Sequence, residues 1–358
     1  MQIPAVLMRG GTSKCWVFDE RDLDRCGLDR DTALLRVYGS PDPRQIDGVG
    51  GATSTTSKAA VVAPSGRDGI DVDYTFAQIG IAEGKVDWSN NCGNCSSVVG
   101  LHAVQQGWVA PRGEVTRVVV YNTNTGKTIL QDVPTPDRRP TNAGDAMIIG
   151  VPFPGPRIEL GFVDPSGAVT GRLLPTGRPQ EKLTGRRGTV RATLVDAANP
   201  MALLWGPDIG LSGTEDPAAV DADAELLADL AEYRAQASEL MGIAPEAASA
   251  DTVSRAIPKL AWIAPAPDPA VADAAVRMLS MGRTHPALAI TGLVAVTGAC
   301  SVPGSVAPPG TDVSAGLRIL SPSGVIGVRS ETNPDGSLSA VFVERTARRI
   351  ATAELEAS

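Results

Sequence analysis

Short stretches of alternating apolar and polar residues, separated by glycine- and proline-rich turns, make up most of this chain. Period-two alternation is typical of strands with one buried face, and it predicts a strand at 70–79. Short apolar or alternating runs bounded by turn residues predict further strands at 59–63, 115–122, 127–133 and 146–150. Two segments break the pattern because they are almost wholly apolar over more than three helical turns. They predict buried helices near 92–106 and near 286–299, the second with Pro286 as its first residue.

The second half of the chain repeats the order of elements in the first half. Each half has a pair of strands, a helix, a strand opened by a lysine, another strand and a buried helix; the lysines are Lys58 and Lys259. We therefore predict an α+β fold of two pseudo-symmetric domains, 1–182 and 183–358. Each would be a curved, mainly antiparallel sheet around a central apolar helix, and the last strand could return to the first domain. Both helix starts would face a shared cleft, a usual place for a ligand.

The start of the first buried helix carries the sequence Asn91-Cys92-Gly93-Asn94-Cys95. Asn91 is a suitable N-cap, and Gly93 allows a ligand close to the backbone. The amides and positive dipole end of the helix would attract an anion and lower the pKa of Cys92.

Other interpretations of Cys92 stay open: a structural core cysteine, or a CxxC redox or zinc motif. A zinc site needs further Cys or His ligands at short spacing, and the only histidines are His102 and His285. We expect no metal.

Two glycine-rich loops are candidates for binding an anion. The first follows Arg9 and offers paired glycines and two hydroxyls, although an ordinary hairpin turn would look the same: Gly10, Gly11, Thr12 and Ser13. The second, 39–58, contains Gly50 and Gly51 and ends at Ser57 and Lys58. A desolvated Lys58 could act as a base; otherwise it is a surface lysine.

Composition narrows the classes of partner. The net charge is −8 and no basic cluster is present, so nucleic acid is not an expected partner. No apolar run reaches the roughly 18 residues of a membrane span. Five cysteines, and an N-terminus unlike a signal peptide, favour a cytoplasmic protein with reduced thiols. Lysine, thiol and hydroxyl groups without a cofactor motif suggest proton transfer at a carbon made acidic by conjugated carboxylates, with a small di- or tricarboxylate as ligand.

Several strings in the chain resemble the PrpF family, whose fold is like that of diaminopimelate epimerase. They run in order along the chain: MRGGTSK (8–14), GSPDPRQIDGVGGATSTTSK (39–58), DVDYTF (71–76), NCGN (91–94), PTG (175–177), IPK (257–259) and LSMGRTH (279–285). The family includes isomerases of 2-methylaconitate, 4-oxalomesaconate and methylitaconate that use no cofactor.

The resemblance implies a lysine and a cysteine as the proton-transfer groups, which here are Lys58 and Cys92. It also implies that the glycine loops and the second helix start bind substrate carboxylates. The implied substrate-binding residues are Arg9, Gly10, Gly11, Thr12, Ser13, Gly50, Gly51, Ser57, Asn91, Gly93, Asn94, Lys259, Met281, Arg283 and His285. The TSTTSK and NCGN strings look most similar to the methylaconitate branch, so we expect cis–trans or allylic isomerisation of an unsaturated tricarboxylate, with 4-oxalomesaconate as the alternative.

Cys15 and Cys95 depart from the family pattern, and Cys95 could pair with Cys92 on oxidation. Two other functions stay open. A racemase of the same fold would need a second thiol at the start of the second helix, where the sequence has His285 and Pro286. A non-catalytic polycarboxylate-binding protein would not need Lys58. Which of Lys58 and Cys92 is the base, and whether the chain forms a homodimer, also stay open.

Overall fold

The computed structural model describes residues 2–88, 91–254, 257–280, 282–335 and 337–357. Its contacts divide the chain into two compact units. The first unit consists of Met1–Val163 with Glu344–Ser358, and the second of Asp164–Val343. The expected boundary lay later, after residue 182. The second unit already includes residues 164–182, and Glu181–Gly185 pairs there as a strand with residues 188–192.

The first unit is built from short strands and three helices. Its strands are Gln2–Gly10 (β1), Ser13–Asp19 (β2), Lys58–Pro64 (β3), Val72–Ile79 (β4), Val86–Asp87 (β5), Val115–Asn122 (β6), Lys127–Pro134 (β7) and Arg157–Val163 (β8). Its helices are Glu20–Asp24 (α1), Arg30–Tyr38 (α2) and Gly93–Gln105 (α3), with a 3₁₀ turn at Pro136–Arg138.

The second unit has the same kind of elements. Its strands are Glu181–Gly185 (β9), Gly188–Ala197 (β10), Asn199–Trp205 (β11), Lys259–Pro265 (β12), Ala274–Ser280 (β13), Arg283–Thr284 (β14), Leu317–Ser321 (β15), Gly324–Thr332 (β16) and Leu338–Glu356 (β17). Its helices are Pro217–Ala222 (α4), Ala224–Leu240 (α5), Ala250–Val253 (α6) and Ile290–Cys300 (α7), with 3₁₀ turns at Gly206–Ile209, Ala247–Ser249 and Val313–Ala315. Residues 344–356 of β17 belong to the first unit, where they pair with β1.

Strand pairing follows the same plan in both units. In the first, β2 and β3 are parallel, β3 and β4 antiparallel, and β4 and β6 parallel. In the second, β11 and β12 are parallel, β12 and β13 antiparallel, and β13 and β15 parallel. All other strand pairs with a described register are antiparallel. The repeat inferred from the order of elements is therefore present in the pairing itself.

Each unit surrounds one apolar helix with its sheet. Helix α3 contacts β1, β2, β3, β4, β6, β7 and β8, and α7 contacts β10, β11 and β16. Val98, Val99 and Leu101 of α3 are fully buried, and each contributes about 1.5–3 kcal/mol by leaving water. The outer faces of the sheets are covered separately, by α1 and α2 in the first unit and by α5 in the second.

A side chain from β7 interrupts the backbone hydrogen bonds of α3. Gln131 accepts from the Gly100 N–H at 2.7 Å and donates to the Ser96 carbonyl at 2.8 Å, so its amide stands between a donor and an acceptor four residues apart. A Cβ at Gly100 would lie 2.8 Å from Gln131 Oε1. The position therefore needs glycine although it lies in a helix.

Two sequence expectations about elements were wrong. Residues 146–150 form no strand; a bridge joins Ala146 to Gly155 across a loop that contains Gly150, Pro152 and Pro154. Pro286 is not the first residue of the second buried helix, which begins at Ile290. His285 Nδ1 accepts from the Ala287 N–H, and this turn delays the helix start. No helix in the described ranges combines the length and apolarity needed to cross a bilayer.

Candidate active site

Lys58 opens β3 and is 9% exposed. Its Nζ donates to Oε1 of Gln78 at 2.6 Å and lies 4.9 Å from the centre of the Phe76 ring. The hydroxyl of Tyr38 donates to the Lys58 carbonyl, which anchors the backbone there. Lys58 is therefore not the solvated surface lysine left open as an alternative. Its amine is fixed in a largely dehydrated place.

Cys92 is the N-cap residue of α3, a role that the sequence assigned to Asn91. Its Sγ accepts from the Cys95 N–H at 3.5 Å, and the residue is partly exposed. Cys92 and Lys58 are close enough that the lysine charge acts on the thiol, lowering its pKa. The two proposed proton-transfer groups are thus brought together from positions 34 residues apart in the sequence.

The expected lowering of the Cys92 pKa is wrong. The hydrogen bond from its thiol to Cys95 and the burial of the sulfur raise the pKa well above its ordinary value, against the smaller effect of Lys58. A hydrogen bond that the neutral thiol donates is lost on ionisation, so it favours the protonated form. Cys92 is consequently a thiol near neutral pH, suited to donating a proton.

The glycine loop after β1 packs directly against the start of α3. A Cβ on Gly10 would lie 2.2 Å from the Asn94 carbonyl oxygen, and one on Gly11 would lie 2.0 Å from Asn94 Oδ1. Asn94 Nδ2 donates to Thr12 Oγ1 at 3.0 Å. The paired glycines are required because only a residue without a side chain allows this approach. The first glycine-rich loop and the start of α3, both predicted to bind an anion, therefore lie side by side.

Arg9 holds this loop in place through hydrogen bonds to Gly11 and Thr346. Its Nη1 donates to the carbonyl and hydroxyl oxygens of Thr346, both at 2.8 Å, and to the Gly11 carbonyl at 3.2 Å. The Gly11 amide donates to the Thr346 carbonyl at 2.9 Å. The loop is thus a braced turn, and the Gly11 amide is not available to an anion. The amides of the first turn of α3, Gly93 and Asn94, are the better candidates, since helix-start amides have no partner within the helix.

Gln45 organises the second glycine-rich loop. It is 2% exposed, and its Oε1 accepts from the Ala52 N–H at 2.7 Å and from the Ser57 hydroxyl at 2.6 Å. A Cβ on Gly50 would meet the Gln45 side chain at 2.1 Å, and one on Gly51 would meet Thr56 Oγ1 at 2.2 Å. Packing within the loop therefore accounts for Gly50, Gly51 and the fully buried Ser57, which were expected to bind substrate. The loop also reaches the first one, where the Lys14 N–H donates to the Thr55 carbonyl at 2.9 Å.

The second unit brings its own predicted residues together in part. Lys259 opens β12, and burial lowers its pKa. His285 lies within reach of the Lys259 charge, and its pKa is lowered mainly by burial. Arg283 is exposed and donates to the Asp221 carbonyl at 3.4 Å. Met281 lies outside the described residues. In the described part of the chain no three His, Cys, Asp or Glu side chains are grouped to hold a metal ion.

Three residues of the first-unit site were not predicted from the sequence: Gln78, Gln45 and Thr346. Gln78 lies directly opposite Lys58 in the β3–β4 pairing, so correct strand register would have identified it. Ser13 and Asn91 fall beside the site, with Ser13 buried in β2 and Asn91 Oδ1 accepting from the Ser96 hydroxyl at 3.3 Å.

Comparison with known proteins identifies the family of this chain. The family model described as PrpF protein matches residues 1–357. The 3-methylitaconate isomerase of Eubacterium barkeri is 37% identical over 98% of this chain and 96% of that protein. The (4E)-oxalomesaconate Delta-isomerase of Novosphingobium sp. (strain KA1) is 38% identical over 97% of this chain and 95% of that protein. The 2-methyl-aconitate isomerase of Cupriavidus necator is 37% identical over 82% of this chain and 80% of that protein.

Solved structures place the fold as well. A crystal structure of methylitaconate-delta-isomerase matches with a TM-score of 0.90 and 36% identity, covering 99% of this chain and 95% of that one. A probable proline racemase from Agrobacterium radiobacter K84 shares the fold alone, with a TM-score of 0.56 and 12% identity, covering 99% of this chain and 93% of that one. The diaminopimelate epimerase-like fold expected from the sequence is confirmed. This chain belongs to the PrpF family, and it is an isomerase.

Proposed function

We propose that this enzyme isomerises an unsaturated tricarboxylate of the 2-methylaconitate or aconitate type by proton transfer between Lys58, Cys92 and the substrate. The observation that carries the proposal is the meeting of a buried lysine and a neutral thiol at a helix start that the glycine loop approaches. A relative named for 2-methylaconitate is similar over 82% of the chain, and one named for the related unsaturated dicarboxylate 3-methylitaconate over 98%.

Lys58 is the proposed base. Its Nζ would take a proton from the allylic carbon of the bound acid, and the electron pair would spread through the double bond into the adjacent carboxylate. Gln78 holds Nζ by its neutral amide oxygen, so the amine is oriented by a group that carries no charge. General base catalysis of this kind contributes about 10²–10⁴-fold to rate.

Cys92 is the proposed acid. Its thiol proton would be delivered to the far end of the allyl system, which shifts the double bond and leaves a thiolate beside the lysine ammonium. The positive charge that Lys58 acquires lowers the pKa of Cys92, so the first transfer promotes the second. Proton return from Lys58 to the original carbon after rotation would instead exchange cis and trans, and that outcome does not use the Cys92 proton. Proton exchange with solvent then returns Lys58 to the neutral amine and Cys92 to the thiol.

The dienolate charge would be stabilised at the start of α3. The Gly93 and Asn94 amides point along the positive end of the helix dipole, where an oxyanion is favoured. Thr12 and Asn91 are the proposed side-chain partners of the carboxylates. Contacts of Lys259, Met281, Arg283 and His285 with substrate stay predictions.

A two-thiol racemase is disfavoured by the second unit. Helix α7 has Ala289 at its N-cap, and Cys300 is its last residue. A second substrate, 4-oxalomesaconate, is supported by the similarity to the Novosphingobium enzyme, whose identity to this chain is as high as that of the others. We also propose a cytoplasmic location, supported by five free thiols, and a homodimer, to be tested by light scattering.

An NMR time course in D₂O tests the substrate class. Purified enzyme would receive cis-aconitate, trans-aconitate, 2-methylaconitate, methylitaconate or 4-oxalomesaconate separately. Double-bond movement or cis–trans conversion, with deuterium entering the allylic carbon, is expected for at least one acid, and the fastest names the substrate. Absence of exchange and conversion with all five would refute the proposal.

A further inference from the structure

Three of the five thiols form a connected cluster at the start of α3. Cys95 lies close enough to both Cys92 and Cys15 for each of them to act on its pKa. The Cys95 N–H also points at Cys92 Sγ, at 3.5 Å. Cys26, by contrast, has its own partner in the Leu28 carbonyl at 3.8 Å, and Cys300 ends α7 in the second unit. All five are free thiols in the structure.

Access to solvent differs sharply within this cluster. Cys92 is partly exposed, whereas Cys95 is 0% and Cys15 1% exposed. An oxidant arriving from solvent therefore reaches residue Cys92 before Cys95 or Cys15, and the backbone N–H of the buried Cys95 lies 3.5 Å from Cys92 Sγ. A partly exposed thiol with a second thiol nearby is an arrangement found at redox-sensitive sites. The raised pKa of Cys92 leaves less of it as thiolate, so its reaction is slower than that of a low-pKa thiol.

We propose that Cys92 and Cys95 are a site of reversible disulfide formation, with Cys92 as the thiol that reacts first with the co-reactant and Cys95 as the resolving thiol. The co-reactant is a low-molecular-weight disulfide, such as oxidised glutathione. The Cys92 thiolate, having lost its proton to solvent, attacks one sulfur of the co-reactant and releases one thiolate, which leaves a mixed disulfide. The Cys95 thiolate then attacks Cys92 Sγ and releases the second. Two protein thiols are oxidised while the co-reactant is reduced to two thiols.

The short connection between the two cysteines makes this pairing geometrically accessible. Cys92 has extended backbone angles (φ −118°, ψ 102°) and Cys95 lies in the first turn of the helix, so the two residues are one turn apart and the Cys95 N–H is directed at Cys92 Sγ. Cys15, in β2, is close enough to act on the pKa of Cys95. Its burial leaves it without direct access to the oxidant.

The consequence for activity rests on the proposed function, because a disulfide removes the thiol proton that Cys92 is proposed to donate. The bond itself does not depend on that function. Chemical mapping and activity therefore test the two ideas separately when both are measured on the same samples.

The experiment equilibrates the full chain with graded ratios of oxidised to reduced glutathione, quenches with acid, alkylates under denaturing conditions and maps peptides by mass. The tryptic peptide 86–112 carries both cysteines. We expect it to lose the mass of two hydrogen atoms and both alkylation sites together, reversibly with dithiothreitol, while Cys26 and Cys300 stay alkylated. The Cys95→Ala variant should accumulate only the mixed disulfide on Cys92, and Cys26→Ala should behave as wild type.

Full alkylation of Cys92 and Cys95 at every ratio would overturn the inference and leave the proposed function intact. A disulfide that joins Cys15 to Cys95 would overturn it too. Formation of the expected bond with undiminished turnover would sustain the inference and refute the role of Cys92 in the proposed function.

Discussion

Nζ of Lys58 donates to Oε1 of Gln78 at 2.6 Å, across a directly opposed pair of residues in β3 and β4. The same glutamine is itself fixed, because its Nε2 donates to the Ser57 carbonyl at 2.9 Å. We therefore assign Gln78 as a positioning residue, because it orients the amine that the proposed reaction uses.

Replacing Gln78 by leucine should lower kcat by about tenfold and leave KM nearly unchanged, since the loss of one hydrogen bond of roughly 1 kcal/mol misplaces the base but no carboxylate contact. Steady-state kinetics measure the split. Gln180→Leu is a matched control, because it removes an amide-to-carbonyl bond to Ser305 in the second unit. A larger change in KM than in kcat for Gln78→Leu would contradict the positioning role.

Gly11→Ala should damage both stability and turnover. Gly11 has φ +52°, and the added Cβ would lie 2.0 Å from Asn94 Oδ1, so the loop must leave the helix start. Gly107→Ala is the control: φ is +75° and nothing lies within 4 Å, which isolates backbone strain of about 1 kcal/mol. Urea unfolding and kinetics together should show lost activity in Gly11→Ala alone; equal activity in the two variants would argue against the loop's role.

Gln131→Leu should destabilise the first unit. The substitution removes both hydrogen bonds that Gln131 makes with the backbone of α3. The Gly100 N–H and the Ser96 carbonyl then lose their partner unless the helix shifts so that they bond directly. We expect a loss of about 1–3 kcal/mol in the free energy of unfolding, measured with urea. Gln2→Leu, which removes an exposed bond to Glu356, should cost far less, and comparable losses would contradict the insertion as a source of stability.

Acid should weaken the fold through His102. Burial lowers the pKa of His102 from 6.5 to about 4, so between these values the unfolded chain binds a proton that the folded chain does not. The contribution of neutral His102 to the free energy of unfolding is fully present above about pH 6.5. It is lost as the pH drops toward 4, by roughly 3 kcal/mol in total.

His102→Phe should flatten that decline while keeping the edge-to-face contact with Trp108 at 5.5 Å. The burial of His285 also lowers its pKa, so some of the decline should remain. Urea unfolding at several pH values measures the slope, and an unchanged slope in His102→Phe would show that His102 is not its source.

Local patterns predicted the fold well because its elements have strong signals. Alternation identified β4, β6 and β7, because a strand with one buried face repeats every two residues. Long apolar runs identified α3 and α7, because these helices are buried on all sides. The start of α7 was misplaced because a histidine side chain caps the turn before it. The irregular segment around Gly150 was taken for a strand because hydrophobicity alone does not reveal whether a chain is paired.

The site was predictable in part for similar reasons. Lys58, Cys92 and the glycine loop have recognisable neighbours in the sequence. Gln78 and Thr346 act through strand register and through the return of β17, which are contacts between distant residues that no local pattern encodes. The pKa of Cys92 was misjudged because the helix dipole was considered without the Cys95 thiol, which lies only three residues away.

The most direct test of the central claim separates the two proton transfers. Each of wild type, Lys58→Met and Cys92→Ala would be incubated with 2-methylaconitate in D₂O, and NMR would follow deuterium entry at the allylic carbon separately from formation of the isomer. Lys58 as base and Cys92 as acid predict that Cys92→Ala still exchanges the allylic proton while its double-bond shift falls at least about 100-fold, and that Lys58→Met does neither. Undiminished exchange in Lys58→Met would contradict the account.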